Sequence, residues 1–382
     1  MDKKLDQELG LRIQALRKHR KLTQEQLAKS LGVGSAQIIS QIESGNRALK
    51  ARELSQLADF FKVAPMALMT GNSFEAQPRV SWRDDGRNDR TQRPENEQLF
   101  IRRCKNYALI ESLAGVGSAV QLPSLPLRLN QSTFEDVEDW AERTEGMLRL
   151  GDTPAMSLKN ALENTWGIKI FFTNLRGGSA ATAKGEFGGA ILLATEEPPC
   201  RQRFSLAHEL FHLLTWDSVC ELGRGLSEDE EGRNETLAEV FASRLLLPAN
   251  SLKPILRKLR ASKPVLWIDL IQQARELGVS TLALLWRLYN LKHIPKSVID
   301  DFKEKPALAE LDRRFKHKPE PSISDLPLRY VHLAFRCHME GKISTAKMAE
   351  LMETTVGALP RVLAEYELDL DADAYETTVI SA

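Results

Sequence analysis

The stretch Arg201-Gln202-Arg203-Phe204-Ser205-Leu206-Ala207-His208-Glu209-Leu210-Phe211-His212-Leu213-Leu214 decides how the rest of the chain is read. Its apolar residues recur at helical spacing, so it is expected to form one helix with an apolar face. Residues four apart in a helix lie one turn apart on the same side. His208 and His212 can therefore present both imidazoles to one ion, in the H-E-x-x-H pattern of hydrolytic zinc sites. Glu209 follows the first histidine, where a carboxylate can take a proton from an attacking water. The competing reading is a pair of helical histidines that pack or face water, and the apolar flanks argue against it.

Catalytic zinc takes three protein ligands and leaves the fourth place open. Downstream, the acidic run Glu228-Asp229-Glu230-Glu231 gives way to an apolar helix, Asn234-Glu235-Thr236-Leu237-Ala238-Glu239-Val240-Phe241-Ala242. Its N-E-x-x-x-E pattern resembles the second zinc helix of thermolysin-like (gluzincin) proteases. The resemblance implies that Glu235 is the third ligand. It also implies that Glu239, one turn on, accepts the free ring N–H of a ligand histidine. Glu239 as the ligand itself is the less favoured assignment.

Taken together, Ala190–Leu193, the Arg-rich entry to the His208 helix, Glu235-x-x-Ala238-x-x-Phe241-Ala242 and Leu245-Leu246-Leu247-Pro248 resemble the ImmA/IrrE family of metallopeptidases. The resemblance covers roughly residues 145–250. It implies a zincin-like domain, a Zn2+ cofactor and endopeptidase activity on a narrow protein target. That target is typically a helix-turn-helix repressor whose cleavage switches on stress or mobile-element genes. Two departures stand out. The usual Gly before the second His is Phe211, which is expected to reshape the cleft floor, and the usual Asn after the Ala of the second helix is Glu239.

The N-terminal part carries a different signal. Leu9, Ile13 and Leu16 space an apolar face, and Thr23 with Gln26 forms a capping-box pattern. Leu31-Gly32-Val33-Gly34 reads as a tight turn with Gly34 as an extra residue, and Ser35 is expected to cap the next short helix. The wording L-T-Q-E-Q-L-A, L-G-V and I-S-Q-I-E-S-G resembles phage-repressor-type (XRE) helix-turn-helix domains, whose second helix enters the major groove of duplex DNA. That implies a five-helix domain in which Gln24 reaches phosphate, Gln37 and Ser40 face the bases, and Ser35 lies among the DNA-binding residues. Arg12, Arg17, Lys18, Arg20, Lys21, Arg47, Lys50 and Arg52 make the segment locally basic, with Arg47 and Lys50 among the expected DNA contacts. The competing reading is a helix bundle for protein contact.

Formal net charge is zero over 382 residues, so the whole chain is not a polyanion binder. The four cysteines, Cys104, Cys200, Cys220 and Cys337, lack C-x-x-C spacing, which fits a reducing cytoplasm. No run of eighteen apolar residues is present, so no membrane association is expected. Strands are expected at 168–172 and 187–193, the second as a hairpin partner or edge strand, and a basic loop at 303–321.

The expected fold is mainly α with a small β-sheet (α+β). The expected division is a DNA-binding domain at 1–70, a flexible linker at 71–98, the metallopeptidase domain at 99–260 and a helical C-terminal region at 261–382. Expected partners are duplex DNA, a protein substrate and a second copy of the chain. The alternative is a DNA-binding regulator that uses the zinc fold as sensor or scaffold, or an antitoxin component.

Overall fold

The computed structural model describes residues 3–19, 22–32, 35–61, 65–70, 79–83, 93–116, 122–175, 179–220, 222, 226–260, 265–314 and 325–370. They fall into two compact units, Met1–Arg79 and Val80–Ala382. The fold is mainly helical with one small sheet, as expected. No helix among the described residues is long and apolar enough to cross a membrane.

The first unit holds α1 (Lys3–His19), α2 (Gln24–Leu31), α3 (Ala36–Glu43), α4 (Ala51–Phe61) and α5 (Pro65–Thr70). Thr23 and Gln26 form the expected capping box on α2. Ser35 does not do the same for α3: it is extended and its side chain makes no capping bond. Residues 33 and 34, including the extra glycine, lie outside the described residues. Ile13, Leu27, Ile39, Leu57 and Leu68 form the buried centre. A Cβ on Gly10 would stand 2.6 Å from the Glu43 carbonyl oxygen, so α1 and α3 meet backbone to backbone.

A buried ion pair completes this unit. Arg17 Nε donates to Glu43 Oε1 at 2.6 Å and Nη2 to Oε2 at 2.9 Å. Gln24 Nε2 also donates to Glu43 Oε2, at 2.8 Å. Burial opposes ionisation of Glu43, but the Arg17 and Gln24 hydrogen bonds outweigh it and hold the carboxyl below its usual range.

The second unit begins at Val80, the second residue of β1 (Arg79–Arg83), and continues with α6 (Arg93–Leu113), α7 (Phe134–Leu148) and α8 (Pro154–Thr165). Next come β2 (Lys169–Thr173), β3 (Ala180–Gly185), β4 (Gly188–Ala194), α9 (Pro199–Leu214), α10 (Trp216–Cys220) and α11 (Glu228–Leu246). The remainder is α12 (Lys253–Arg260), α13 (Trp267–Glu276), α14 (Thr281–Asn290), α15 (Lys296–Glu304), α16 (Pro306–Arg314), α17 (Leu328–Met339), α18 (Thr345–Leu351) and α19 (Leu359–Ala364). Strand order is β1-β3-β4-β2, with β2 parallel and β3 antiparallel to β4.

Successive strand residues face opposite sides, and here both sides are covered. Ile170, Phe172, Ala180, Ile191 and Leu193 join the front core with α7, α8, α9, α11 and α14. Phe171, Ala181, Ala183, Ala190 and Leu192 join the back core with α6, α17, α18 and α19. A sheet buried on both faces loses the apolar–polar alternation that marks a half-exposed strand.

Three expectations are corrected. The 187–193 strand is a hairpin partner, as one of its two readings has it, and not an edge: β4 lies between β3 and β2, with β3 folded back on it as a hairpin. The 303–321 loop begins with the end of α15 and all of α16, since Pro306 takes the first helical position, where proline costs nothing; residues 315–320 and 321 lie outside the described residues. The 71–98 segment contains β1 and the start of α6, because Val80 and Trp82 pack against the back core. Residues 71–78 and 84–92 of that segment lie outside the described residues.

Arg17→Met should destabilise the first unit by about 3–5 kcal/mol, because it leaves Glu43 buried without its guanidinium. Arg17→Met combined with Glu43→Leu should recover most of that loss, as read by denaturant unfolding. The pair's stabilisation is present above the unfolded carboxylate pKa of about 4.3 and is lost as pH falls through the lower folded value. Removing residues 325–382 should expose the back face of the sheet and give a dye-binding, loosely packed product; a sharp native-like melt would contradict this.

Candidate metal centre

Helix α9 begins at Pro198 and Pro199, whose fixed φ suits a helix start. Gln202 Nε2 ties its first turns to β4 by donating to the Ala194 carbonyl at 2.9 Å. Its C-terminal end is held by Leu125 N–H, which donates to the Leu214 carbonyl at 2.8 Å. Gly189 lets α9 lie close on the sheet, since a Cβ there would meet Leu213 Cδ2 at 2.7 Å. Helix α11 starts with a Ser227/Glu230 capping box and packs along α9 through Leu237, Ala238 and Phe241. Phe211 is fully buried against Phe241, with ring centroids 5.5 Å apart. It is therefore part of the seam between the two helices, not the cleft floor that the sequence predicts.

This packing brings His208, His212 and Glu235 together. His208 Nε2 lies 3.0 Å from Glu235 Oε2 and 3.0 Å from His212 Nε2. His212 Nε2 lies 3.3 Å from Glu235 Oε1. Ligand atoms held about 2.0–2.2 Å from one tetrahedral ion are separated by roughly 3.3–3.6 Å. Two imidazoles and a carboxylate at these distances therefore fit zinc in donor type and spacing. Burial opposes the Glu235 charge, but the two facing imidazoles hold its carboxyl far below the usual range.

Glu209 is almost wholly buried, and Thr182 Oγ1 on β3 donates to its Oε2 at 2.6 Å. The second ring nitrogen of His212, Nδ1, lies 3.3 Å from the Asn234 side-chain amide. A 180° turn of that amide brings its oxygen to the same place as acceptor for the ring N–H. Asn234 thus takes the place expected for Glu239, which stands exposed one turn beyond Glu235. The reason is helical phase: Asn234 shares the buried face of α11 with Leu237, Ala238 and Phe241, and Glu239 does not. Thr182 is marked by no sequence motif, and Asn234, though the first residue of the N-E-x-x-x-E pattern, has no role assigned by it. A cavity of about 580 Å³ with a mixed polar and apolar lining lies between residues 126–131, Ser218 and Val219 of α10, Leu222, and Glu230 at the start of α11.

In the first unit, Ser35, Gln37, Ser40 and Lys50 are exposed, on α3 or close to it. Gln24 is half-buried and turned onto Glu43. Arg47 is half-buried and donates from both terminal nitrogens to Glu53, at 2.7 and 3.2 Å. Arg17 is internal, and Arg12 Nη1 donates to the Met69 carbonyl at 2.6 Å. Part of the basic surplus therefore serves the unit's own packing, while Lys18 and Arg52 remain exposed with Lys50.

Residues 10–73 match the family described as a helix-turn-helix domain, and residues 164–289 match the IrrE N-terminal-like domain. No curated protein matches the chain. Among solved structures, a Mycobacterium tuberculosis transcriptional regulator is 17% identical, with 48% of this chain and 51% of that one covered and a TM-score of 0.31. The chain thus spans about half the length of that regulator. Bacillus thuringiensis PlcR, solved with the peptide PapR7 and DNA, is 11% identical over 96% of this chain and 100% of that one, with a TM-score of 0.19. Likenesses at these scores carry no structural argument. The family matches do: the chain is a fusion of a helix-turn-helix domain of the XRE type with an IrrE N-terminal-like domain.

Proposed function

We propose that the chain is a zinc-dependent endopeptidase that carries its own DNA-binding module and acts on a repressor-type protein. The observation that carries this reading is the meeting of His208, His212 and Glu235 beside the buried carboxylate of Glu209. An imidazole pair with one carboxylate is a ligand set of hydrolytic zinc, and a pure scaffold has no use for a carboxylate buried next to it. When bound, zinc supplies Lewis acidity toward a peptide carbonyl.

The chain's own residues do the rest. Glu209 takes a proton from the attacking water and passes it to the leaving amine. Thr182 donates to one Glu209 oxygen and so fixes the position of the carboxylate. Asn234 holds the His212 ring in the orientation that keeps Nε2 toward Glu235. In the first unit, the exposed Gln37 and Ser40 on α3 are the base-facing candidates, and Lys18, Lys50 and Arg52 are the phosphate-facing ones.

Purified protein should carry about one zinc per chain, and His212→Ala should lose it, as measured by elemental analysis. Full zinc retention in that variant would end the ligand assignment. Glu209→Gln should keep zinc and the native melt but cleave at least ~100-fold more slowly, because an amide cannot take the proton. The full chain should shift duplex DNA in gels at low salt and release it as salt rises. Retention that ignores salt would favour a protein-contact role for the first unit.

A further inference from the structure

Strand β3 is the strand of the sheet that touches the base, through Thr182. One edge of β3 is fully engaged, since Ala180 to Gly185 pair residue by residue with Leu193 to Gly188 of β4. The backbone donors and acceptors left for another chain are those of the outer edge. A strand added there runs one strand spacing, about 4.8 Å, from the strand that holds Glu209. In this structure the position is filled by β1, the five residues Arg79–Arg83.

The way β1 is held differs from the way the other strands are held. It belongs to no hairpin, and it is not flanked by strand neighbours on both sides. Val80 and Trp82 are half-buried on the back core, while Ser81 is exposed. Trp82 Nε1 donates to Glu97 on α6, and the Arg93 guanidinium lies 5.6 Å from the Trp82 ring. The strand is therefore fixed by two side chains and a ladder on one edge. An edge ladder can be exchanged for another extended chain, because the ladder's hydrogen bonds are the same for any sequence and pockets for alternate side chains select it.

We propose that β1 is a displaceable occupant of the outer edge of β3, seated where another extended polypeptide would otherwise pair. The proposal rests on the peptidase reading only in naming that polypeptide as substrate. The favoured segment carries apolar side chains two residues apart, as β1 does with Val80 and Trp82. While β1 is seated, the chain shields the approach to Glu209 from other extended segments.

The test uses the full chain in a Glu209→Gln background, so that no probe is cut. The probe is a labelled peptide, acetyl-Arg-Val-Ser-Trp-Arg-amide, which copies residues 79–83. Two variants, Val80→Pro and Ser81→Pro, each remove one strand N–H, and alternate N–H groups face β3, so one of the two must break the ladder. That variant should show amide exchange in residues 180–185 roughly tenfold faster, with exchange in β2 and β4 unchanged as the check on folding. It should also bind the probe at least about tenfold more tightly than the parent, because a self-occupied site lowers apparent affinity by the fraction that is open.

Unchanged β3 exchange in both variants would overturn β1 as the occupant. Faster exchange without probe binding would overturn the edge as a polypeptide site. Equal probe binding by parent and variants would overturn the shielding. None of these readouts depends on hydrolysis, and zinc content measured on the same samples reports separately on the metal site.

Discussion

The contact between α9 and α11 is what the rest of the second unit depends on. Each helix supplies polar groups that are useless alone: two imidazoles from α9, one carboxylate from α11. They meet because the apolar residues beside them interlock, with Phe211 against Phe241 and Leu237 and Ala238 buried in the same seam. A shift of one residue along α11 rotates the helix by about 100° and carries Glu235 off the shared rim. The meeting of these groups is thus a by-product of side-chain packing, and any substitution in the seam acts on it at a distance.

The sheet plays a second part. Taking a carboxylate out of water is costly unless hydrogen bonds replace the water. Glu209 is 1% exposed, and Thr182 from β3 supplies such a bond. The placement of Thr182 follows from strand parity: Ala181 and Ala183 face the back core, so Thr182 must face α9. A one-residue slip of β3 would replace that hydroxyl with an alanine.

How much was legible in the sequence follows from the range of the interactions involved. His208, Glu209 and His212 are local, and helical spacing alone brings the two imidazoles to one side of α9. Glu235 needed a resemblance, because nothing in its spacing shows which distant helix it meets. Thr182 and Asn234 were not legible, since each acts on a residue more than twenty positions away in sequence. The strand Ala180-Ala181-Thr182-Ala183 was hidden for a different reason: small side chains buried on both faces carry neither alternation nor strong strand propensity. Arg17 and Arg47 read as phosphate contacts because their charge is visible in sequence, while their acidic partners, Glu43 and Glu53, are recognisable only once the helices are packed.

The covering of the back of the sheet sets the order in which the molecule can mature during synthesis. His208, His212 and Glu235 are all present once residue 235 is made, but Phe171, Ala181 and Leu192 wait for α17, α18 and α19 to bury their side of the sheet. A ribosome-bound chain therefore carries these three residues on an unfinished scaffold, with contacts of high sequence separation still to close. An unfinished chain displays strand edges and an apolar sheet face, the features that draw chaperones.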